Sequence, residues 1–150
     1  MRIAALALLL GALLPVRPVL SPRPLTGTWE ARFTLDSTWQ LPDAPERHAI
    51  AGRIVFGPGT ATDSLHPEPV YPGHSELDFS PFGFQVRSAD ALGWYLGGDS
   101  IRAILDPQVD HGHVALVGRG REGRFEGAWT MVGYPTGARG RFVLTRRGRS

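Results

Sequence analysis

Polar and apolar residues alternate almost without fault from Leu25 to Asp36. Leu25, Gly27, Trp29, Ala31, Phe33 and Leu35 fall on one face, and Thr26, Thr28, Glu30, Arg32, Thr34 and Asp36 on the other. A period of two belongs to an extended chain whose successive side chains point to opposite sides, so the stretch predicts an antiparallel strand with one face in a core. A second run sets Ile50, Gly52, Ile54 and Phe56 on one side. Further strands are predicted in Ser75 to Ser88, broken in two at Pro81 to Gly83, and in Leu92 to Tyr95, Ser100 to Leu105, His113 to Arg119, Gly123 to Val132 and Ala138 to Arg146. No segment of the same region keeps a helical period. Roughly seven or eight short strands parted by Gly, Pro and Asp clusters predict an all-β fold. Consecutive hairpins favour a small antiparallel up-and-down barrel, with a β-sandwich as the alternative.

The apolar faces also carry Gly27, Gly52, Gly118, Gly127 and Gly140. Glycine inside a strand marks tight bending or room for a bulky neighbour such as an indole, and both suit a small closed barrel. Gly27-Thr28-Trp29 near the start is echoed by Gly127-Ala128-Trp129 near the end, and closure would bring the first and last strands together and leave no edge exposed. Trp29, Phe33, Phe56, Trp129 and Phe142 are the expected structural core. An Arg stacked on Trp29, from Arg141 or Arg124, would close the barrel base by a cation–π contact.

Ahead of this domain the chain opens Met1-Arg2 and runs from Ile3 to Leu14 without a polar residue. A short basic start followed by an apolar run too short to span a bilayer comfortably predicts a signal peptide over residues 1–21. Secretion or release to the periplasm is the expected localisation, with no integral membrane span after cleavage; an uncleaved N-terminal anchor is the alternative. Residues 22–24 read as an extended leader, 25–146 as one barrel domain and 147–150 as a basic tail. There is no cysteine, so an exported domain of this kind is held by its core and not by disulfides.

Net charge is +2, and every one of the 16 basic residues is Arg. Neither Lys nor Asn occurs, which is the composition of a GC-rich genome and no pointer to nucleic acid. Charge is unevenly spread: Pro24 to Asp110 holds five Arg against twelve acids, and His111 to Ser150 holds eight Arg against two. Neighbouring strands are therefore expected to pair these charges internally.

Gly27-Thr28-Trp29 followed by Phe33 resembles the Gly-x-Trp opening strand of the calycin superfamily, the lipocalins and avidins, and Ala91-Leu92-Gly93-Trp94 is similar to an internal avidin stretch. The resemblance implies an up-and-down barrel and, by analogy, a small apolar ligand. It departs from that family in lacking a second lipocalin motif, a C-terminal helix and the Asn of biotin pockets.

Candidate chemistry is sparse. His111 and His113, two apart on an extended segment, are the best metal-ligand pair, but Asp106-Pro107 and Asp110-His111-Gly112 are turn chemistry and no third ligand adjoins them. No nucleophile elbow, cysteine or phosphate loop is present, so neither a catalytic residue nor a cofactor is expected. The Pro-rich stretch Gly57 to His74 reads as a long loop suited to a lid, with Trp39 and Trp94 at the margins of a mouth. Tyr71, Trp94, Tyr95 and Arg102 are accordingly the expected ligand-binding residues, for a small apolar or amphipathic molecule at the barrel's open end. The competing function is a structural or protein-interaction module of the cell envelope. A filled interior favours the second.

Overall fold

A computed structural model describes residues 24–38, 48–61, 68–83, 86–107, 112–121, 123–133 and 137–148. Residues 1–21, read above as a signal peptide, lie outside the described residues, as do Trp39 and His111. Eight antiparallel strands run β1 (Gly27–Thr38), β2 (Ala49–Phe56), β3 (Tyr71–Asp78), β4 (Arg87–Gly97), β5 (Ser100–Leu105), β6 (Gly112–Arg121), β7 (Arg124–Gly133) and β8 (Ala138–Arg146). Each pairs with the next and β8 returns to β1, closing the barrel. The all-β, up-and-down expectation holds, with a single short 3-10 turn, Ser80–Phe82, between β3 and β4.

Register follows the period of two. Trp29, Ala31 and Phe33 of β1 stand opposite Arg146, Leu144 and Phe142 of β8, and opposite Ile54, Gly52 and Ile50 of β2. All of these face the interior, where Trp29, Phe33, Phe56, Trp129 and Phe142 are each at most 2% exposed. The five expected core residues are thus core residues.

Two boundaries differ from the sequence reading by more than a residue or two. β4 runs unbroken from Arg87 to Gly97, because Ala89, Ala91 and Gly93 keep the inward alternation through a stretch whose small side chains give little strand signal. The loop expected over Gly57 to His74 ends earlier, at β3, which begins at Tyr71 and includes Pro72. Pro72 is exposed, and its carbonyl accepts from the Gly57 N–H at 2.7 Å, so the missing amide hydrogen leaves this end of the ladder intact. Thr60 and Val70 form an antiparallel bridge with N–O distances of 2.9 and 3.0 Å, so the described parts of the Pro-rich connection, residues 57–61 and 68–70, extend β2 and β3.

Glycine and indole fit together at β7, β8 and β1. The Trp129 indole N–H donates to the Thr34 carbonyl at 2.9 Å, passing beside Gly140. A Cβ on Gly140 would sit 2.8 Å from that indole nitrogen and against the Thr34 carbonyl oxygen itself. Room for a bulky neighbour, read from the glycines, is at this position literal. Gly140→Ala should therefore cost about 1–3 kcal/mol through overpacking, measured as a lower midpoint in chemical denaturation. An unchanged midpoint would mean that β8 does not lie this close to β1.

Candidate functional site

The end of the barrel nearest Trp94 is shut. Leu25, 1% exposed, lies under the entering chain, and its carbonyl accepts the Trp29 indole N–H at 2.7 Å. The Arg146 guanidinium lies over the Trp29 ring, 4.9 Å from its centroid. Its Nη2 donates to the Thr26 carbonyl at 2.9 Å and to the Pro24 carbonyl, tying residues 24–26 across the opening. Phe125 packs on Trp29 at 5.3 Å, and Tyr95 meets Phe125 edge-on at 6.1 Å.

The stacked arginine is therefore Arg146, not Arg141 or Arg124. Both of those are exposed, because they occupy outward positions of β8 and β7. Arg146 shares the inward parity of Phe142 and Leu144, the signal that identifies it once Phe142 is placed in the core. The sequence reading ends the last strand at Arg146 but gives that residue no such role. Arg147 is not frayed: its N–H donates to the Thr28 carbonyl at 2.9 Å and its guanidinium stands 3.7 Å from Glu30.

The opposite end is filled from the β3–β4 connection. Phe79, which caps the 3-10 turn, and Phe82, its last residue, are both fully buried, and Gly83 ends the turn in a left-handed conformation at φ 94°. Phe82 stacks on Trp129 at 5.6 Å with planes 6° apart, and Phe79 meets Phe33 edge-on at 5.2 Å. Phe33 in turn stacks on Phe142 at 6.0 Å. This ring cluster occupies the barrel axis.

The four residues expected to form a mouth are divided by the pleat. Tyr71 and Tyr95 point inward and are buried, whereas Trp94 and Arg102 lie on the outer wall. They do not share a pocket, since adjacent residues such as Trp94 and Tyr95 face opposite sides of one strand. In the described part of the expected lid, Gly59 packs against the Tyr71 ring, where an added Cβ would approach to 2.7 Å. His113 is a partly exposed residue of β6, and no cluster of three metal-ligating side chains occurs among the described residues.

What the outer wall does hold together is an apolar surface over β4, β5 and β6. Arg102 sits opposite Trp94 in register, its guanidinium 5.8 Å from the ring centroid, and Val117 lies opposite Arg102 on the other side. Val117 is 49% exposed and Leu96 53%. Elsewhere Arg53 pairs with Glu76 at 2.6 Å, and Arg121–Asp99 and Arg147–Glu30, both at 3.7 Å, join the basic end of the chain to its acidic middle, so the expected internal pairing is present in part. Such exposed pairs contribute about 0–1 kcal/mol each.

No family model matches the chain, and no curated protein matches it. No helix among the described residues is long and apolar enough to cross a membrane.

Burial raises the Tyr95 hydroxyl from 10 to about 12, with Tyr71 adding to the rise and the Arg146 guanidinium opposing it. The fold favours the neutral phenol, so this contribution is complete below pH 10 and is lost as pH climbs toward about 12. Tyr95→Phe should flatten the fall of stability with pH across that interval, followed by denaturant midpoints at successive pH values. A second substitution tests the closed end: Trp29→Ala removes the ring between Arg146 and Phe125 and should cost about 3–5 kcal/mol. A wild-type melting temperature in that variant would show that the end is held by other contacts.

Proposed function

We propose that the chain is an exported, non-enzymatic barrel that serves as a structural or protein-interaction module of the cell envelope, meeting its partner with its outer wall. One observation carries this reading: the interior is occupied by the interlocked rings of Phe33, Phe79, Phe82, Trp129 and Phe142, with both ends covered. An eight-stranded barrel has an interior that side chains can just fill or that can hold one small ligand, and these side chains take that space. The small-ligand reading needs the same volume, so it ranks second.

The Gly27-Thr28-Trp29 start on the first of eight up-and-down strands supports a calycin-type barrel. On the outer wall, Trp94, Leu96, Arg102 and Val117 supply the aromatic, aliphatic and Arg mixture typical of interface centres, where burial of a ring and its stacked guanidinium contributes more than rim charge.

The test has two arms. An environment-sensitive apolar dye should give no saturable fluorescence change with the purified protein; stoichiometric saturation would restore the enclosed-ligand reading. Protein cosedimenting with an envelope fraction should be released by Leu96→Asp with Val117→Asp, both outward substitutions that leave the melting temperature near wild type. Cosedimentation unaffected by the pair would overturn the outer-wall assignment.

A further inference from the structure

The barrel carries a concavity on the side formed by β7, β8 and β1, away from the Trp94 wall. It has a volume of about 300 Å³ and is lined by Asp36, Ala128, Thr130, Arg139 and Arg141 over the backbone of Gly127, Trp129 and Gly140. That size is at the lower end for small-molecule sites.

Three features distinguish the cleft from an ordinary solvated strand face. Arg139 and Arg141 stand two apart on β8, so both guanidinium groups project outward on one side, with Cα atoms roughly 6.8 Å apart. Neither has an ion-pair partner among the described residues, which is also true of Arg32 and Arg119, but of these four Arg139 and Arg141 alone line this concavity. Opposite Arg141 the strand carries only Ala128, which leaves the floor open, and opposite Arg139 it carries Thr130.

The third feature is a β-bulge. Leu35 pairs with Gly140 and Ser37 with Arg139, so Asp36 is an extra residue in β1 with no counterpart on β8. Bulges re-aim a side chain and recur beside functional sites. Here the bulge sets an exposed carboxylate into the wall of a cleft that is otherwise basic, yet Asp36 pairs with neither Arg139 nor Arg141.

We infer that this cleft binds a small phosphate monoester bearing a hydroxyl or amine close to the phosphate. The two guanidinium forks take the phosphate oxygens, which, unlike a single carboxylate, are numerous enough to engage both. Thr130 supplies a hydroxyl at the floor. Asp36 accepts from the ester's own hydroxyl or ammonium group, which gives the stray carboxylate a role and sets the ligand's direction. The inference stands apart from the outer-wall reading of β4 to β6, and either survives failure of the other.

The Trp129 indole lies beneath the cleft and is a local reporter, since its N–H already bonds Thr34, two residues before the bulge. Full-length ¹⁵N-labelled protein should be titrated with glycerol 3-phosphate, inorganic phosphate and acetate at constant ionic strength, following the four indole N–H resonances, with Trp129→Phe assigning the one of interest. The Trp129 resonance is expected to shift saturably with both phosphates and not with acetate. Arg139→Gln with Arg141→Gln should weaken glycerol phosphate at least about tenfold, the effect of losing one charge-assisted hydrogen bond, with no change in the ligand-free melting temperature. Asp36→Asn should weaken glycerol phosphate and leave inorganic phosphate unaffected. Cosedimentation with phosphatidic acid vesicles, lost in the double variant, would assign the ester to a lipid headgroup; no cosedimentation assigns it to a soluble ester. Shifts that are linear and shared with acetate, or an affinity untouched by the double Arg variant, would overturn the site.

Discussion

The register of β1 against β8 depends on one pair, Trp29 and Arg146, placed directly opposite each other on the inward face. A guanidinium on an inward strand position is costly to bury, and it is accommodated here by an indole face on one side and by the Thr26 and Pro24 carbonyls, which accept from Nη2, on the other, while its Nε is buried without a hydrogen-bond partner. The same carbonyls belong to the chain that must cross the barrel end. Strand closure, end closure and the seat of the first strand are thus a single arrangement. A slip of one residue between β1 and β8 would send Arg146 outward and turn Phe142 and Leu144 to solvent, so the charged residue specifies the register that the apolar ones stabilise.

From that register the interior follows. With eight strands the cross-section is small, and two indoles with five or more phenyl rings cannot share it unless some inward positions carry no side chain. Gly140 yields space to Trp129, and Gly118 to Phe142, whose ring tip would lie 2.6 Å from an added Cβ. Large and small residues face each other across the strands, which fills the centre of the barrel. Function is consequently sought on the wall, where the pleat puts Trp94 and Arg102.

Much of this was legible in the alternation of residues, because an antiparallel barrel with one buried face writes its period of two directly into the chain. β5 and β8 have the boundaries the pattern predicts, and the five large core residues are where it places them. What the pattern could not carry is anything that depends on which end of a strand meets which partner. Tyr71 and Tyr95 share the inward face, yet they were grouped with Trp94 and Arg102 by nearness in sequence and by chemistry, where parity alone separates Trp94 from Tyr95. Arg146 closes the last predicted strand beside the basic tail, and only its parity with Phe142 marks it as inward and able to reach Trp29. Pro72 misled in another way, since proline argues against a strand except where its nitrogen faces no acceptor, and that condition is set by the partner strand. The bulge at Asp36 leaves no trace in the alternation at all, because it is a property of pairing with β8.

Interior and exterior are nonetheless coupled at one place. Trp129 reaches past Gly140 to the Thr34 carbonyl, and in doing so fixes the backbone of β1 just ahead of the extra residue. A bulge free of that anchor could migrate along the strand, carrying the carboxylate with it; with Thr34 held from inside, the irregularity is confined between Leu35 and Ser37. The position of Asp36 relative to Arg139 and Arg141 is then decided by an indole that none of them touches from outside. The aromatic core thereby does more than stabilise the barrel: it sets the spacing of the charges on the wall above it, which is the property a recognition surface needs and a merely solvated strand face does not.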